Sequence, residues 1–474
     1  MKTAAILRAE WLFVRRDRAA GVAYLLFAVV CAVALAQGVS SVLRASTFRA
    51  ELEGEETARI AALHGDLTSA PKPVEPWRDP RNAGSVGRNR AATYAFLPAE
   101  PLAALRTTGA KVVSVSTLGG ALDRSMNDID NPRLAGIGSF DLAFVVVVLL
   151  PLFILALTFD VVTRDRESGA LRLLLAQGTH AVRIYVRRAL VRTLPLILIA
   201  VATLVLSAAA ASASPSGFAA PVDLALAAFA IGVYALFWIG VAFAVQGLVR
   251  TSAAGGLAAL AAWLVLVVIA PVALAALVDA RVPIPSRIER TILVREATRR
   301  ASLEGSGLLA RYYEDHPELS HDGVRADPND FYARQVAVSE RVRAARAPVE
   351  ARYRTALAEQ RRLVGCLSAA SPVVVLDRLL DDLAGTSRER SDAFVEQVTE
   401  FQSRFAAYFD TKVARREALT AESLAQRPTF TFRDVDVSDR LWTSCTLALW
   451  LAVALLAAFR GVTAAVHFER HARS

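Results

Sequence analysis

Lysine and cysteine are scarce in this 474-residue chain, and each scarcity excludes a class of protein. None of the four lysines follows a glycine, so the sequence contains no Gly-Lys-Ser/Thr phosphate-binding loop. Of the three cysteines, Cys31 and Cys445 lie inside apolar runs, which leaves no pair for a disulfide framework. The sequence therefore predicts neither a P-loop ATPase nor a disulfide-stapled domain.

Motifs of metal-dependent and nucleophilic catalysis are missing as well. The sequence has no His-Glu-x-x-His zinc motif and no Gly-x-Ser-x-Gly nucleophile elbow. His467 and His471 have the spacing of a helical metal pair, but their place in a short basic segment favours an ordinary membrane-proximal tail. We therefore predict no catalytic residue, no metal site and no cofactor bound by this chain.

Apolar residues, in contrast, make up 54% of the chain, and the mean hydropathy is +0.38 although 21% of the residues are charged. Such a chain must separate into apolar and polar stretches, and about 20 apolar residues suffice for a helix to cross a bilayer. Apolar runs of that length are found at residues 19–43, 139–162, 189–212, 222–249, 253–277 and 441–460. They predict an all-α polytopic membrane protein with six transmembrane helices.

The distribution of charge predicts the orientation of these spans. The two long polar segments, residues 44–138 and 278–440, are each close to neutral. The remaining 16 basic residues all fall on the opposite side, in residues 1–18, 163–192 and 460–474 and at position 250. By the positive-inside rule that side, with both termini, is cytoplasmic, and the long segments are extracytoplasmic. The net charge of +9 then requires no nucleic acid, and the lipid bilayer is the expected partner.

The first span allows a second interpretation, a cleavable signal peptide. Its apolar run is longer than the usual signal sequence, and the residues before it carry an amphipathic pattern that includes Ile6, Trp11 and Val14. We therefore predict that residues 1–18 form an elbow helix on the cytoplasmic membrane surface, followed by a retained span.

Residues 278–440 are predicted to form a mainly helical extracytoplasmic domain. Pro328 opens one helix, Pro372 opens a second that ends at Gly385, and Thr386 with Glu389 has the spacing of a capping box for a third. Aromatic side chains recur along this third helix at near-helical spacing, which favours a core-facing stripe over the alternative of a substrate groove. The stripe consists of Phe394, Phe401, Phe405, Tyr408 and Phe409.

Alternating apolar residues predict two short strands in the polar segments. One lies at 111–117 and the other at 429–437. Ionisable residues near the cytoplasmic ends of two spans form a further candidate pair, because Asp160 and Arg192 are expected at the same depth. The alternative is that Arg192 extends alone to the lipid headgroups.

The segment 163–178 is the most informative motif of the chain. It resembles the loop after the second span of ABC-2-type transporter permeases, whose pattern is roughly Glu-Arg-Glu-x-Gly-Thr-Leu-x-x-Leu-Leu followed by a turn and a basic helix. Ala170 stands where the family has Thr, and Gly178 where it usually has Pro. The matching residues are Asp165, Arg166, Glu167, Gly169, Leu171, Leu174 and Leu175.

Other parts of the chain carry the same resemblance. The six spans, the motif at 101–103, the stretch at 327–334 and the motifs at 371–372 and 383–386 are similar to an ABC-2 permease subfamily with a large insertion between spans five and six. This resemblance implies a multi-pass subunit of a bacterial inner membrane. A separate ABC ATPase subunit would bind ATP and Mg²⁺, and a second permease subunit, identical or paralogous, would complete the transporter.

The loop after the second span is, by this resemblance, the coupling element. We expect Glu167 to cap its own short helix, Gly169 to allow close backbone approach, and the leucines to supply apolar docking contact. The coupling residues would be Arg164, Asp165, Arg166, Glu167, Gly169, Leu171, Leu174 and Leu175. The nearly chargeless spans favour export of an amphipathic or hydrophobic substrate. The alternatives are a membrane-anchored extracytoplasmic scaffold or sensor and, less favoured, a polytopic membrane enzyme.

Overall fold

The structure is a computed structural model that describes residues 10–11, 16–69, 75, 77–107, 110–117, 125–127, 140–177, 181–211, 220–283, 287–315, 331–434 and 440–471. This part of the chain is mainly helical. The helices are α1 (Arg18–Thr68), α2 (Leu142–Phe144, Val145–Leu149 and Leu150–Thr158 in direct succession), α3 (Thr163–Glu167), α4 (Ala170–Ala176), α5 (Ala181–Ala211), α6 (Pro221–Leu248), α7 (Ser252–Trp263, Leu264–Ile269 and Ala270–Arg281 in direct succession), α8 (Arg287–Asp315), α9 (Phe331–Ser368), α10 (Pro372–Ala384), α11 (Arg388–Ala414), α12 (Ala421–Ala425) and α13 (Arg440–His471). The strands are β1 (Thr93–Phe96), β2 (Lys111–Val115) and β3 (Ser125–Asn127).

Five of the described helices, α1, α2, α5, α6 and α7, are long and apolar enough to cross a membrane. A sixth, α13, is apolar over Cys445–Gly461. The prediction of a helical membrane protein is confirmed at this level, with a small sheet as the departure from an all-α fold. The number and direction of the crossings stay predictions. Most of the predicted elbow helix, residues 1–18, lies outside the described residues.

Small residues bring α6 and α13 into close contact. A Cβ at Gly240 would lie 2.6 Å from the carbonyl oxygen of Ala454, and one at Gly247 would lie 2.8 Å from that of Gly461. The two contacts are seven residues apart on both helices, so α6 and α13 run in the same direction. Glycine and alanine allow this backbone approach, which larger side chains would prevent.

A wide π-helical turn in α2 leaves two carbonyl oxygens that accept hydrogen bonds from side chains of two other spans. Pro151 has no N–H, so it cannot bond the carbonyl four residues before it, at Val147. The Tyr234 hydroxyl donates to that carbonyl at 2.7 Å, and the Trp263 indole N–H donates to the carbonyl of Val148 at 3.0 Å. Because lipid offers no such donors, these bonds hold the interrupted helix within the bundle.

The start and the end of α2, α6 and α13 define two ends of the bundle. Gln246 near the end of α6 bonds the end of α2, while Tyr234 bonds its middle, so these helices are parallel too. We call the end where the three helices begin the lobe end and the end with residues 158–177 and 246–252 the loop end. Both long polar segments therefore lie at the lobe end.

The two polar segments fold together into one lobe. The extension of α1 beyond the apolar run, residues 83–115 and α11 share an apolar core. In this core the strands pair antiparallel in the order β1-β2-β3. Phe394, Phe401, Phe405 and Phe409 of α11 are all buried there. The prediction of a core-facing aromatic stripe is confirmed, and its partner is the other polar segment.

One predicted strand is confirmed and the other is wrong. The alternation at 111–117 forms β2. Residues 429–434 form no strand, and the rest of that predicted strand lies outside the described residues. The alternation of Phe430 and Phe432 has another cause, since both rings lie 5.9 Å from the ring of Phe394.

The helices of the second polar segment begin and end partly as predicted. The first predicted helix corresponds to α9, which begins at Phe331, while Pro328 lies outside the described residues. Pro372 opens α10, and Gly385, with a φ of 70°, ends it. The predicted capping box is wrong, because the Thr386 hydroxyl donates back to the Asp381 carbonyl at 3.3 Å and leaves the start of α11 without a side-chain cap.

Helix α10 packs among the spans, although its residues were predicted to belong to the extracytoplasmic domain. Its apolar face, which includes Leu376, Leu379 and Leu380, is buried in the same core as α2 and α6. The turn before it receives a hydrogen bond of 3.0 Å from the Trp450 indole N–H to the Ala369 carbonyl. Trp450 lies about 15 Å along α13 from its start. The connection from α9 to α10 therefore enters the bundle from the lobe end.

Candidate functional site

The segment after α2 consists of two short helices, α3 and α4, joined at Gly169. Gly169 has a φ of 77°, in the left-handed region that glycine adopts most easily. A Cβ built there would meet no atom within 4 Å. Within this chain Gly169 therefore turns the backbone between the two helices, and the expectation that it allows close approach of a docking partner stays a prediction.

Glu167 caps a different helix from the one predicted. It is the last residue of α3, and its carboxylate accepts from the Ser252 backbone N–H at 2.7 Å and from the Ser252 hydroxyl at 2.8 Å. Ser252 begins α7, whose N-terminal N–H groups carry partial positive charge. The hydrogen bond from the Ser252 backbone N–H lowers the pKa of Glu167 below its ordinary value.

Arg166, the neighbour of Glu167, binds the end of the preceding span. Its guanidinium donates to the Val249 carbonyl at 2.5 Å, at the C-terminus of α6, where partial negative charge accumulates. Arg166 and Glu167 thus hold both sides of the short turn between α6 and α7. Deeper in the bundle, Gln246 donates to the Thr158 carbonyl at 2.9 Å and accepts from the Val162 N–H at 2.7 Å.

Three of the four leucines of α4 pack against the span core. Leu171 is fully buried in the span core, and Leu174 and Leu175 are half-buried against the same core. The prediction that these three leucines form the docking surface is therefore corrected. Arg172 is exposed, and Leu173, which was not among the predicted residues, is 67% exposed.

Asp160 and Arg192 lie together at the loop end, with their closest oxygen and nitrogen 3.7 Å apart. Each has a second partner, because Asp160 pairs with Arg164 at 2.7 Å and Arg192 pairs with Glu10 at 3.2 Å. Glu10 precedes the first span in sequence, and nothing in its spacing predicted this contact. The pair is thus part of a network that ties the chain before α1 to α2 and α5.

Asp165 belongs to the same network. Its carboxylate receives bonds from Arg188 at 2.6 Å and from the Tyr185 hydroxyl at 3.1 Å, both on α5. Arg188 also lies 3.5 Å from Glu10. The side chain of Asp165 is therefore engaged inside the chain, whereas Arg164 is largely exposed.

At the lobe end, two arginines, one mostly buried and one fully buried, connect segments that are far apart in sequence. Arg106 pairs with Asp141 at 3.7 Å, with Asp381 at 2.7 Å and with Asp377. It links the first polar segment to the start of α2 and to α10. Burial raises the pKa of Asp381, and the Arg106 guanidinium opposes this rise.

Arg390 forms the second of these buried centres and is only 4% exposed. It lies 2.9 Å from Glu100 and 2.9 Å from Asp434, and it donates to the Gly385 carbonyl at 3.1 Å. Burial raises the pKa of Glu100. Three segments therefore meet at Arg390: the first polar segment, the turn between α10 and α11, and the stretch that leads to α13.

The fold defines a helical membrane protein with a large helical lobe at one end of its spans. Residues 287–433, from the start of α8 to the stretch after α12, match a family described as "Domain of unknown function (DUF3526)". No curated protein matches the chain. The matched region includes α10 and most of the lobe and leaves out the first five spans. Among the described residues, no three His, Cys, Asp or Glu side chains are arranged to hold a metal ion.

Proposed function

We propose that this chain is the membrane-spanning subunit of an ATP-driven exporter of the ABC-2 type. In this proposal a separate ABC ATPase subunit binds ATP and Mg²⁺ and docks on the loop end, which faces the bacterial cytoplasm together with both termini. A second permease subunit, identical or paralogous, completes the transporter in the inner membrane. The lobe lies on the extracytoplasmic side.

The observation that carries the proposal is the attachment of α3 to the turn between α6 and α7. Arg166 binds the last carbonyl of one span, and Glu167 binds the first N–H of the next. A displacement of α3 by a docked partner therefore moves the ends of α6 and α7 directly. Since α3 follows α2 after a four-residue turn, three spans share this attachment.

The proposed docking surface is the outward face of α4. Arg172 and Leu173 are exposed there, and an apolar side chain beside a cation suits a partner surface with an apolar pocket and acidic rim. The buried Leu171 fixes α4 to the span core from the other side. Docking and transmission thus reside on different residues, and they can be separated by mutation.

The test is reconstitution of the full chain with a candidate ABC ATPase subunit in lipid vesicles. Leu173→Asp should weaken binding of the ATPase subunit by about tenfold, since it puts a charge into an apolar contact. Glu167→Gln should leave that binding unchanged and lower the stimulation of ATP hydrolysis by substrate. Arg183→Ala, which changes an exposed arginine of α5 near the same end, is the matched control and should alter neither measurement.

The proposal fails if no ATPase subunit binds the wild-type chain, or if Leu173→Asp and Arg183→Ala bind it equally well. The first result would favour the alternative of a membrane-anchored scaffold or sensor, in which the lobe carries the function. The second would show that the docking surface does not lie on α4.

A further inference from the structure

A polar cleft of about 140 Å³ lies where α9, α10 and the start of α11 meet. Its walls carry three guanidinium groups and three carboxyl groups, which makes it close to neutral but strongly polar. The lining residues are Arg361, Val364, Arg378, Asp381, Asp382, Ser387, Arg388 and Glu389. Neither the coupling element nor the spans of the proposed transporter use these residues.

Two contacts place the cleft at the height of the span ends. Gln360, the residue before Arg361, donates to Asp279 at 2.9 Å, and Asp279 is in the last turn of α7. On the other side, Arg106 joins Asp381 to Asp141, which caps the first turn of α2. The cleft therefore lies beside the positions where α2 and α7 leave the apolar layer, which is where lipid headgroups are found.

Most charges in the cleft are paired with each other or with a neighbour. Arg361 pairs with Asp392 at 2.5 Å, and Arg378 pairs with Glu389 at 3.3 Å. Within the part of the chain that the structure describes, Asp382 and Arg388 form no salt bridge. The cleft thus offers one carboxylate and one guanidinium that a ligand with both charges can engage.

The start of α11 adds donors to the cationic side of the cleft. No side chain caps this helix, because Thr386 bonds Asp381 instead. The first N–H groups of a 27-residue helix, together with the Arg388 guanidinium, therefore attract an anion. The carboxylates of Asp382, near the end of α10, and of Glu389, beside Arg388 in the first turn of α11, attract a cation.

We propose that this cleft binds a zwitterion with a primary ammonium and a phosphate, the chemistry of the phosphoethanolamine group. The ammonium donates to Asp382, and the phosphate accepts from Arg388 and the start of α11. At roughly 30 Å³ per water molecule, the cleft equals about four to five waters, which suits the eight non-hydrogen atoms of this group. Its height beside the spans favours a membrane lipid as the source over free phosphoethanolamine.

Acid should weaken this binding. Burial, with a further contribution from Glu389, raises the pKa of Asp382 to about 6, while Ser387 and Arg378 oppose the rise and Asp381 adds a smaller increase. Above that pH the carboxylate is charged and attracts the ammonium. Below it the group is neutral, and the affinity for the ammonium falls.

The experiment measures lipid binding to the delipidated full chain in detergent by native mass spectrometry at pH 7.5. The probes are short-chain phosphatidylethanolamine, phosphatidylcholine, phosphatidylglycerol and free phosphoethanolamine. We expect the ethanolamine lipid to bind about tenfold more tightly than the choline lipid, whose quaternary ammonium has no N–H to donate to Asp382. Tighter binding of the lipid than of free phosphoethanolamine supports the membrane source, and the reverse order supports the same chemistry with a soluble source.

Variants of Asp382 and Arg388, the two charged residues of the cleft without a salt bridge among the described residues, test whether the lipid binds in this cleft. Asp382→Asn, which keeps the side-chain shape, and Arg388→Gln should each lower ethanolamine-lipid binding by about tenfold. Glu400→Gln and Arg404→Gln, on the exposed face of α11, are the matched controls and should bind as the wild type does. Equal binding of the ethanolamine and choline lipids, tighter binding of phosphatidylglycerol, or unchanged binding by Asp382→Asn would each overturn the proposal.

Discussion

The two ends of the helix bundle use charged residues in different ways. At the loop end, Arg166 and Glu167 bind the ends of two helices, and Glu167 is largely exposed to solvent. At the lobe end, Arg106 is mostly buried and Arg390 is fully buried, and each binds carboxylates from different segments. The contrast concerns Glu167, which acts near the surface, because the network of Asp160, Arg192, Glu10, Arg188 and Asp165 at the same end is mostly buried.

This difference has a physical consequence for how easily each end moves. Exposed ionic contacts contribute little and are readily exchanged for water, whereas removal of one partner from a buried cluster leaves an uncompensated charge. The contact of Glu167 with Ser252 can therefore be exchanged at small cost when a partner docks. The lobe end resists such change, and it keeps α10 in place among the spans.

The sharpest test of this contrast is Arg106→Leu at the lobe end. The substitution leaves Asp141, Asp377 and Asp381 close together without their shared cation, and it should destabilise the chain by about 3 kcal/mol. Thermal unfolding of the full chain in detergent measures the effect. Arg300→Leu, which removes an exposed ion pair with Glu296, is the control and should cost less than about 1 kcal/mol. Similar losses for both variants would contradict the contrast.

Neighbouring leucines of α4 give the second test. Leu171→Ala should destabilise the chain by about 2 to 3 kcal/mol, because Leu171 is fully buried and its removal leaves a cavity. Leu173→Ala should change stability by less than about 0.5 kcal/mol, because Leu173 is exposed. Chemical denaturation of the two variants compares them directly. If Leu173→Ala were the more destabilising, α4 would present its opposite face to the bundle.

Trp450→Phe tests how the turn before α10 is held. The ring packing against Phe237 is retained, but the bond to the Ala369 carbonyl is lost, at a cost of about 1 kcal/mol. Cys366, three residues before Ala369, is exposed and reports on this turn. We expect its reaction with a thiol reagent to become faster in the variant. Trp263→Phe, which removes a tryptophan bond at another span contact, is the comparison. If the reaction rate of Cys366 were unchanged in Trp450→Phe, the bond to Ala369 would not restrain the turn.

The smallest expected effect is the pH dependence of Glu167. Its pKa is lowered in the folded chain, so its contribution to stability is present above the ordinary pKa near 4.3 and is lost as the pH falls through the lowered value. The midpoint of thermal unfolding should therefore be higher for the wild type than for Glu167→Gln at pH 7, and the difference should disappear as the pH falls through the lowered pKa. A difference that persists at acid pH would exclude the charge of Glu167 as its cause.

Local patterns predicted the elements correctly where neighbouring residues decide them. Pro372 and Gly385 mark the ends of α10, because both act through their own backbone. The aromatic stripe of α11 was predicted as a buried face from its spacing alone. The strand predicted from the alternation at 429–434 was wrong, because Phe430 and Phe432 alternate where both rings pack against Phe394 of α11.

The amino-acid sequence by itself determined which segments are apolar, where α10 begins and ends, and which residues form the motif after α2. Only the tertiary structure decided which side chains meet. Glu10 with Arg192, Glu167 with Ser252, and Arg106 with Asp381 are separated by long stretches of chain. No periodicity encodes such pairs, because they form only when packing of the spans and folding of the lobe bring distant segments together.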